Sequence, residues 1–336
     1  MRYLLAILAI LSLSACKPSA EPAQVEASVF KKDSSLLSWA EAPRSRILDW
    51  LSSVTDTKGK DFILESDRIA VFDNDGTLWP EQPMPNQLLF ALDFLKAGSA
   101  DHPEWKKDPL LKPFLEGDKP AIQKAGMKGL GQVMSISHAN VPVDAFEARV
   151  QQWADTARER KFGKKYVEAV YQPMLELLGL LRENGFKTFI VSGGGADFMR
   201  AWTEKTYGIP PYQVVGSYAD AKFSLQDSTV ILTKTGEGFY LDDKEAKPLA
   251  IHRFIGKVPV LCAGNSDGDL AMMQYTASSK YKSLNILLHH TDADREYAYD
   301  LKTLSGHLEK ALIEANTRGW LVVDMKKDFK RIFPFQ

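Results

Sequence analysis

The stretch "VFDNDGTLW", Val71 to Trp79, decides how this chain is read. It sets two aspartates, Asp73 and Asp75, at the end of an apolar run and follows them with Gly-Thr. Carboxylates one residue apart repel each other, so the pair needs a reason. Asn, Asp and Gly favour tight turns, and "NDG" can simply end a strand. A cation or phosphate site is the other reason, because a bound metal removes the repulsion. The nine residues alone leave both open.

Working outward, "DRIAVF" reads as a buried strand that delivers Asp73. From Pro83 to Asn184 the pattern is helical nearly throughout. "PNQLLFALDFLKAG", "VDAFEARVQQWADTARER" and "YVEAVYQPMLELLGLLRENG" carry apolar positions three and four apart. Gly185 is placed to end the last of them. A strand "FKTFIV" follows, then Ser192 with three glycines, then helical sequence. A short strand "QVVGS" leads into "STVILTKTGEGFYLDD", which reads as a β-hairpin with glycine in its turn. "EAKPLAIHRFIG" is helical, "VPVLCAG" a strand, "DLAMMQYT" a helix and "LNILLHH" a final buried strand. Strands alternating with helices predict an α/β fold, a Rossmann-like parallel sheet covered by helices. A helical block between its first two strands predicts an inserted cap. The division expected is a core of 38–82 and 185–336 with a cap of 83–184. An earlier helix is expected around "AEAPRSRILDWLSSV".

The first residues differ. "MRYLLAILAILSLSAC" holds one Arg, an apolar run too short to span a bilayer comfortably, and small residues before Cys16. "LSAC" resembles a bacterial lipobox. That implies a signal peptide over 1–15, cleavage before Cys16 and acylation of that residue, each buried methylene adding ~0.8 kcal/mol of membrane affinity. Residues 16–37, rich in Pro, Ala, Ser and charge, read as a flexible tether. Lys17 favours an outer-membrane, periplasm-facing location in the cell envelope. Cys262, the other of the two cysteines, is left without an internal disulfide partner and is expected to fill space in a strand.

With 42 Lys+Arg against 43 Asp+Glu the net charge is -1. A general affinity for nucleic acid needs a basic surplus or stripe, and there is neither. A hydrophobic fraction of 45% and a charged fraction of 25% are those of an ordinary globule.

Parallel sheets bind ligands at the carboxyl ends of their strands. Three strands end in residues suited to a single chemistry, namely Asp73-Asn-Asp75-Gly-Thr77, Ser192-Gly193-Gly194, and "GNSDGD" from Gly264 to Asp269. Lys247 begins the helix before the last of these strands. Together they are what hydrolysis of a phosphate monoester through an aspartyl-phosphate requires. One carboxylate attacks phosphorus, and a second protonates the leaving oxygen and then deprotonates water. Magnesium and a lysine neutralise charge, while a hydroxyl and backbone N–H groups hold the phosphate. Such reactions need accelerations of up to ~10²¹-fold.

These four motifs, in order from Asp73 to Asp269, resemble the haloacid-dehalogenase superfamily, in particular its phosphoserine-phosphatase-like branch with a helical cap after the first motif. The resemblance implies Asp73 as nucleophile and Asp75 as general acid/base. It makes Thr77, Ser192 and Gly193 the supports of the phosphate loop, with Lys247 as the third motif. It implies magnesium held by Asp73, the backbone carbonyl of Asp75 and Asn265, with Asp269 acting behind them. Many relatives have aspartate where this chain has Asn265; Asp267 is the rival ligand. The acid at Asp75 separates phosphatases from the dehalogenases of the superfamily. Lys257 is the weaker alternative to Lys247, and His138, His252, His289 and His290 read as structural. Trp79 and Glu81 follow the first motif where a cap would close, either touching the substrate's non-phosphate part or simply packing.

The expectation is a magnesium-dependent phosphomonoesterase acting on a small phosphorylated metabolite and anchored to the membrane through Cys16. Phosphotransfer to an alcohol is the second enzyme reading. A lipoprotein that binds phosphorylated ligands without turnover is the alternative of another class.

Overall fold

The computed structural model describes residues 36–303 and 305–336. The expected signal peptide, Cys16 and nearly all of the expected tether lie outside the described residues. Leu36, counted into that tether, is buried, and the segment after it is fastened to a distant part of the chain. Ala40 N–H donates to the Asp328 carbonyl (2.7 Å) and Lys330 N–H to that of Ser38 (2.8 Å). Trp39 meets Phe329 edge-on, ring centroids 5.0 Å apart.

Helix α1 (Glu41–Thr55) buries Ile47, Trp50 and Leu51 at helical spacing. Strand β1 (Ile69–Phe72) is apolar throughout and buried throughout. Its alternation feeds two layers: Ala70 and Phe72 join one core cluster, Ile69 and Val71 the other. Next come α2 (Asn86–Gly98), α3 (Lys112–Glu116) and α4 (Lys119–His138), the last kinked at Gly126, then the short β2 (Val141–Pro142) and α5 (Val143–Thr156). Leu88, Ala91, Leu95, Leu111, Phe114 and Val133 of the first three helices and their joins form a separate small core. Helix α6 (Gln172–Glu183) closes the expected cap sequence but packs on the sheet. Its Leu177, Leu178 and Leu181 are buried in the main core, and Glu176 accepts hydrogen bonds from Ser38 N–H (3.0 Å) and hydroxyl (2.6 Å).

The second half runs β3 (Lys187–Gly195), α7 (Ala196–Arg200), α8 (Thr203–Tyr207), β4 (Val214–Ser217), β5 (Ala221–Gln226) and β6 (Thr229–Lys234). It continues through α9 (Ala246–Ala250), β7 (Leu261–Gly264), α10 (Leu270–Ala277), β8 (Leu284–His289), α11 (Lys310–Arg318), β9 (Leu321–Asp324) and α12 (Met325–Asp328). Six strands form one parallel sheet in the order β4-β3-β1-β7-β8-β9. The chain winds from β1 outward to β4, then returns to the other side of β1 at β7. That reversal opens a crevice at the carboxyl end of β1, where such sheets take their ligands.

Two expectations are corrected. The hairpin lies one strand earlier than the glycine pattern suggested: β5 and β6 pair from Ala221↔Lys234 to Gln226↔Thr229. Asp227 and Ser228 make its turn with φ of 45° and 68°, the left-handed pair that matches strand twist. Nor is β8 the final strand, because "LVVD" adds β9 at the edge, too short to signal itself. No helix among the described residues is long and apolar enough to cross a membrane.

Candidate active site

The first motif is both a turn and a site. Asn74 O accepts from Thr77 N–H (3.1 Å) and Leu78 N–H (2.8 Å), and Gly76 N–H donates to Trp79 O (2.8 Å). Gly76 takes φ 75°, and a Cβ there would stand 2.1 Å from Asn265 Nδ2, so the tight loop admits only glycine. The turn lifts Asp73 and Asp75 off the sheet and aims them at different partners. Lys247, 2% exposed at the start of α9, places Nζ 2.8 Å from Asp73 Oδ1 and 2.6 Å from Asp269 Oδ1. Asp269 spends its other oxygen on the N–H groups of Asn265 (2.9 Å) and Ser266 (3.0 Å). It lies behind the lysine, as a positioning group. Asp75 Oδ1 accepts instead from the Trp79 indole (2.9 Å). Trp79 itself is buried and stacked on Trp202, so it packs and orients Asp75.

Strand β3 brings Ser192 and Gly193 to the same edge. Ser192 Oγ accepts from Gly194 N–H (3.1 Å), and a Cβ on Gly194 would lie 3.2 Å from Asp75 Oδ2. Gln87 of α2 fastens this loop to the cap: Gly195 N–H donates to its Oε1 (2.7 Å), and its Nε2 donates to His138 Nε2 (2.9 Å). Thr77, fully buried, donates to Asn265 Oδ1 (3.3 Å). Asp73, Asp75, Thr77, Ser192, Gly193, Lys247, Asn265 and Asp269 thus converge at the carboxyl ends of β1, β3 and β7. Asp267 is turned elsewhere, its Oδ1 accepting from Glu309 N–H (3.0 Å) and Ala311 N–H (2.9 Å) at the start of α11. Lys257 is a partly exposed ion pair with Asp67 (2.6 Å), away from the site.

Several groups at the site carry no motif in the sequence. Glu81 is 3% exposed and touches Asn265 Nδ2 (2.6 Å) and Tyr299 OH (2.8 Å). His290 stacks on Tyr299, bonds Gly76 O through Nε2 (2.7 Å) and faces Glu296 through Nδ1 (3.1 Å). Asp242 is fully buried with neither carboxylate oxygen hydrogen-bonded, and burial lifts it to about 6 against the pull of Lys247. Glu81 was marked in the sequence only by its place after the first motif and His290 only as a structural histidine, while Tyr299 and Asp242 carried no signal beyond a polar residue type.

A cleft of about 1170 Å³ opens over the carboxylates. Pro85, Leu88, Leu130 and Met134 line its cap side, Ser192, Lys247 and Gly193 its floor. Burial raises Asp75 to about 6, the Trp79 bond and Lys247 pulling the other way. A carboxyl group poised there can give and take a proton near neutral pH. Burial opposes charge on Lys247, but Asp269 and Asp73 outweigh it and hold the ammonium above its ordinary value. Burial also pushes Asp73 upward, against Lys247. A nucleophilic carboxylate needs the reverse, and a divalent cation beside it would supply that. Asp73, the Asp75 carbonyl and the Asn265 amide oxygen are hard oxygen donors, whereas Asp269 is engaged by Lys247 and Glu81 by Asn265 and Tyr299. Among the described residues no group of three His, Cys, Asp or Glu side chains is disposed to hold a metal. A cation here would rest on Asp73, a carbonyl, the Asn265 amide and water, which suits magnesium.

A family model described as haloacid dehalogenase-like hydrolase matches residues 70–274, more than half of the chain. No curated protein matches it. Among solved structures it is similar to a conserved, functionally unknown protein from Anaerococcus prevotii DSM 20548. That likeness has 14% identity and a TM-score of 0.53, covering 84% of this chain and 90% of that one. A protein of unknown function from Bordetella pertussis Tohama I matches at 15% identity and TM-score 0.45, covering 77% and 98%. A phosphoserine phosphohydrolase-like protein from Francisella tularensis matches at 14% and 0.34, covering 75% and 99%. At these identities the first likeness speaks for the fold, and the other two carry no argument.

Proposed function

The chain belongs to the haloacid dehalogenase-like hydrolases, and from that premise we propose that it is a magnesium-dependent phosphomonoesterase acting on a small organic phosphate outside the cytoplasm. One observation carries the reading. Lys247 bridges Asp73 and Asp269 while Asp75, one residue from Asp73, is held separately by an indole and lifted towards neutrality by burial.

Asp73 attacks phosphorus as the bond to the alcohol oxygen breaks, and Asp75 gives that oxygen its proton. Asp75 then takes a proton from the water that displaces Asp73, releasing inorganic phosphate. Ser192 and Lys247 hold the phosphoryl oxygens through both steps. Magnesium, when bound by Asp73, the Asp75 carbonyl and Asn265, would screen the charge of nucleophile and phosphate. The cap wall of Leu88, Leu130 and Met134 covers the alcohol part and excludes water. The run before Cys16 supports export and lipid anchoring in the cell envelope.

The test is phosphate release from an aryl phosphate by the purified protein, with and without magnesium, followed by a panel of metabolite phosphates. Magnesium-dependent release that Asp73→Asn eliminates is the expected result. No release from any ester, with phosphate esters still bound, would replace the enzyme by a binding protein.

A further inference from the structure

The amide at Asn265 is where this chain departs from the motif of its relatives, and the surroundings of that amide account for it. We infer that Glu81 is the positioning residue for Asn265, the two forming a complementary pair in which an acceptor at 81 requires a donor at 265. Glu81 Oε1 accepts from Asn265 Nδ2 at 2.6 Å and from Tyr299 OH at 2.8 Å. Its carboxylate is clamped between two loops from opposite ends of the core. A Cβ on Gly76 would come within 2.4 Å of Oε1, and one on Gly306 within 2.2 Å. Both glycines are left-handed, with φ of 75° and 78°, so neither loop can give way by taking a side chain. Tyr299 is held in turn by the ring of His290, 4.3 Å away, which bonds the Gly76 carbonyl.

On the other side of the amide the Thr77 hydroxyl donates to Oδ1 at 3.3 Å. With a donor fixed on one side and an acceptor on the other, the amide has one orientation, Oδ1 towards the first motif. A carboxylate in place of this amide would set two carboxyl oxygens 2.6 Å apart in a buried site, where they can stand together only if one of them takes up a proton. Unpaired buried acceptors are expensive. Asparagine is the residue of that shape that satisfies Glu81 and still turns an oxygen towards Thr77 of the first motif. Asn265 is therefore matched to Glu81, the carboxyl group that lies behind it.

A double-mutant cycle over Glu81→Gln and Asn265→Asp tests this, read by calorimetric magnesium titration and by melting without metal. The magnesium arm rests on the reading of Asn265 as a metal-side oxygen; the metal-free arm does not. Asn265→Asp alone should lower the metal-free Tm by about 3 °C or more. Adding Glu81→Gln, whose amide can donate to the new carboxylate, should restore it. Glu81→Gln should tighten magnesium binding by about tenfold in the Asn265→Asp background and change it little in the native one, a coupling typical of groups in direct contact. Additive effects in both readouts, or an Asn265→Asp protein as stable as the native chain, would overturn the pairing. Should the single variant fail to fold, recovery of folding in the double variant supports the pair and failure to recover refutes it. Absence of magnesium binding by the native protein would count against the proposed cofactor, and the metal-free cycle would still decide the pair.

Discussion

Asp73 and Asp75 are one residue apart and meet different partners, an ammonium and an indole. Asp73→Asn keeps shape and loses the nucleophile, so turnover should fall on the order of 10³-fold or more with the fold retained. Full turnover in the verified variant would end the mechanism. Asp75→Asn should lower turnover by about 10²–10⁴-fold, more for alkyl than for aryl phosphates, because only poor leaving groups need the proton. Equal losses for both would remove Asp75 from the acid role. Asp267→Ala should cost about 1 kcal/mol of stability through the lost cap of α11, with magnesium affinity unchanged. A raised magnesium requirement in that variant would restore Asp267 as a ligand. The proposed catalytic residues were legible in the sequence because the proposed chemistry demands those residue types at those strand ends. Tyr299 was not, and Glu81 and His290 were legible only as a residue following the first motif and as a structural histidine, since the contacts of all three arise across the fold, 184 residues apart in the pair Glu81–Asn265.

The element that joins cap to core turns on one imidazole. His138 ends α4, accepts from Gln87, and is held at about 3 by burial first and the nearby Lys234 second. Its folded value lies below its unfolded 6.5. The native state therefore binds fewer protons, and its contribution is present above pH 6.5 and lost as pH falls from there towards 3. The loss approaches at most about 1.4 kcal/mol per pH unit. Urea melts at stepped pH should show this slope in the native protein and a shallower one in His138→Gln; equal slopes would assign the acid sensitivity elsewhere. At this scale the sequence was a good guide to long periodic helices and to buried apolar strands such as β1. It misplaced the hairpin because β5, "AKFSLQ", is exposed on both faces and its turn uses Asp-Ser where glycine was the expected signal. The strand β9 escaped because four residues carry no period of their own.

For the whole molecule, the proposed attachment to a membrane resides in residues ahead of the folded unit. Cys16→Ser should release the protein from the detergent-requiring fraction and leave phosphate release by residues 36–336 intact. Unchanged attachment of the serine variant would refute the lipid anchor. The α/β layering and the inserted helices followed from the order of periodic segments, whereas the joining of residues 38–40 to 328–330 left no trace in either segment. That seam governs how the molecule can be assembled. A chain delivered from its amino end, by a ribosome or through an export pore, must leave the Ser38 carbonyl and the ring of Trp39 without these partners until Lys330 and Phe329 arrive. Glu176 and Pro173 can engage the same two residues earlier. A product ending before Phe329 therefore lacks the Phe329 and Lys330 side of the seam that ties the first described residues to the last, and its Ser38 and Trp39 are held through α6.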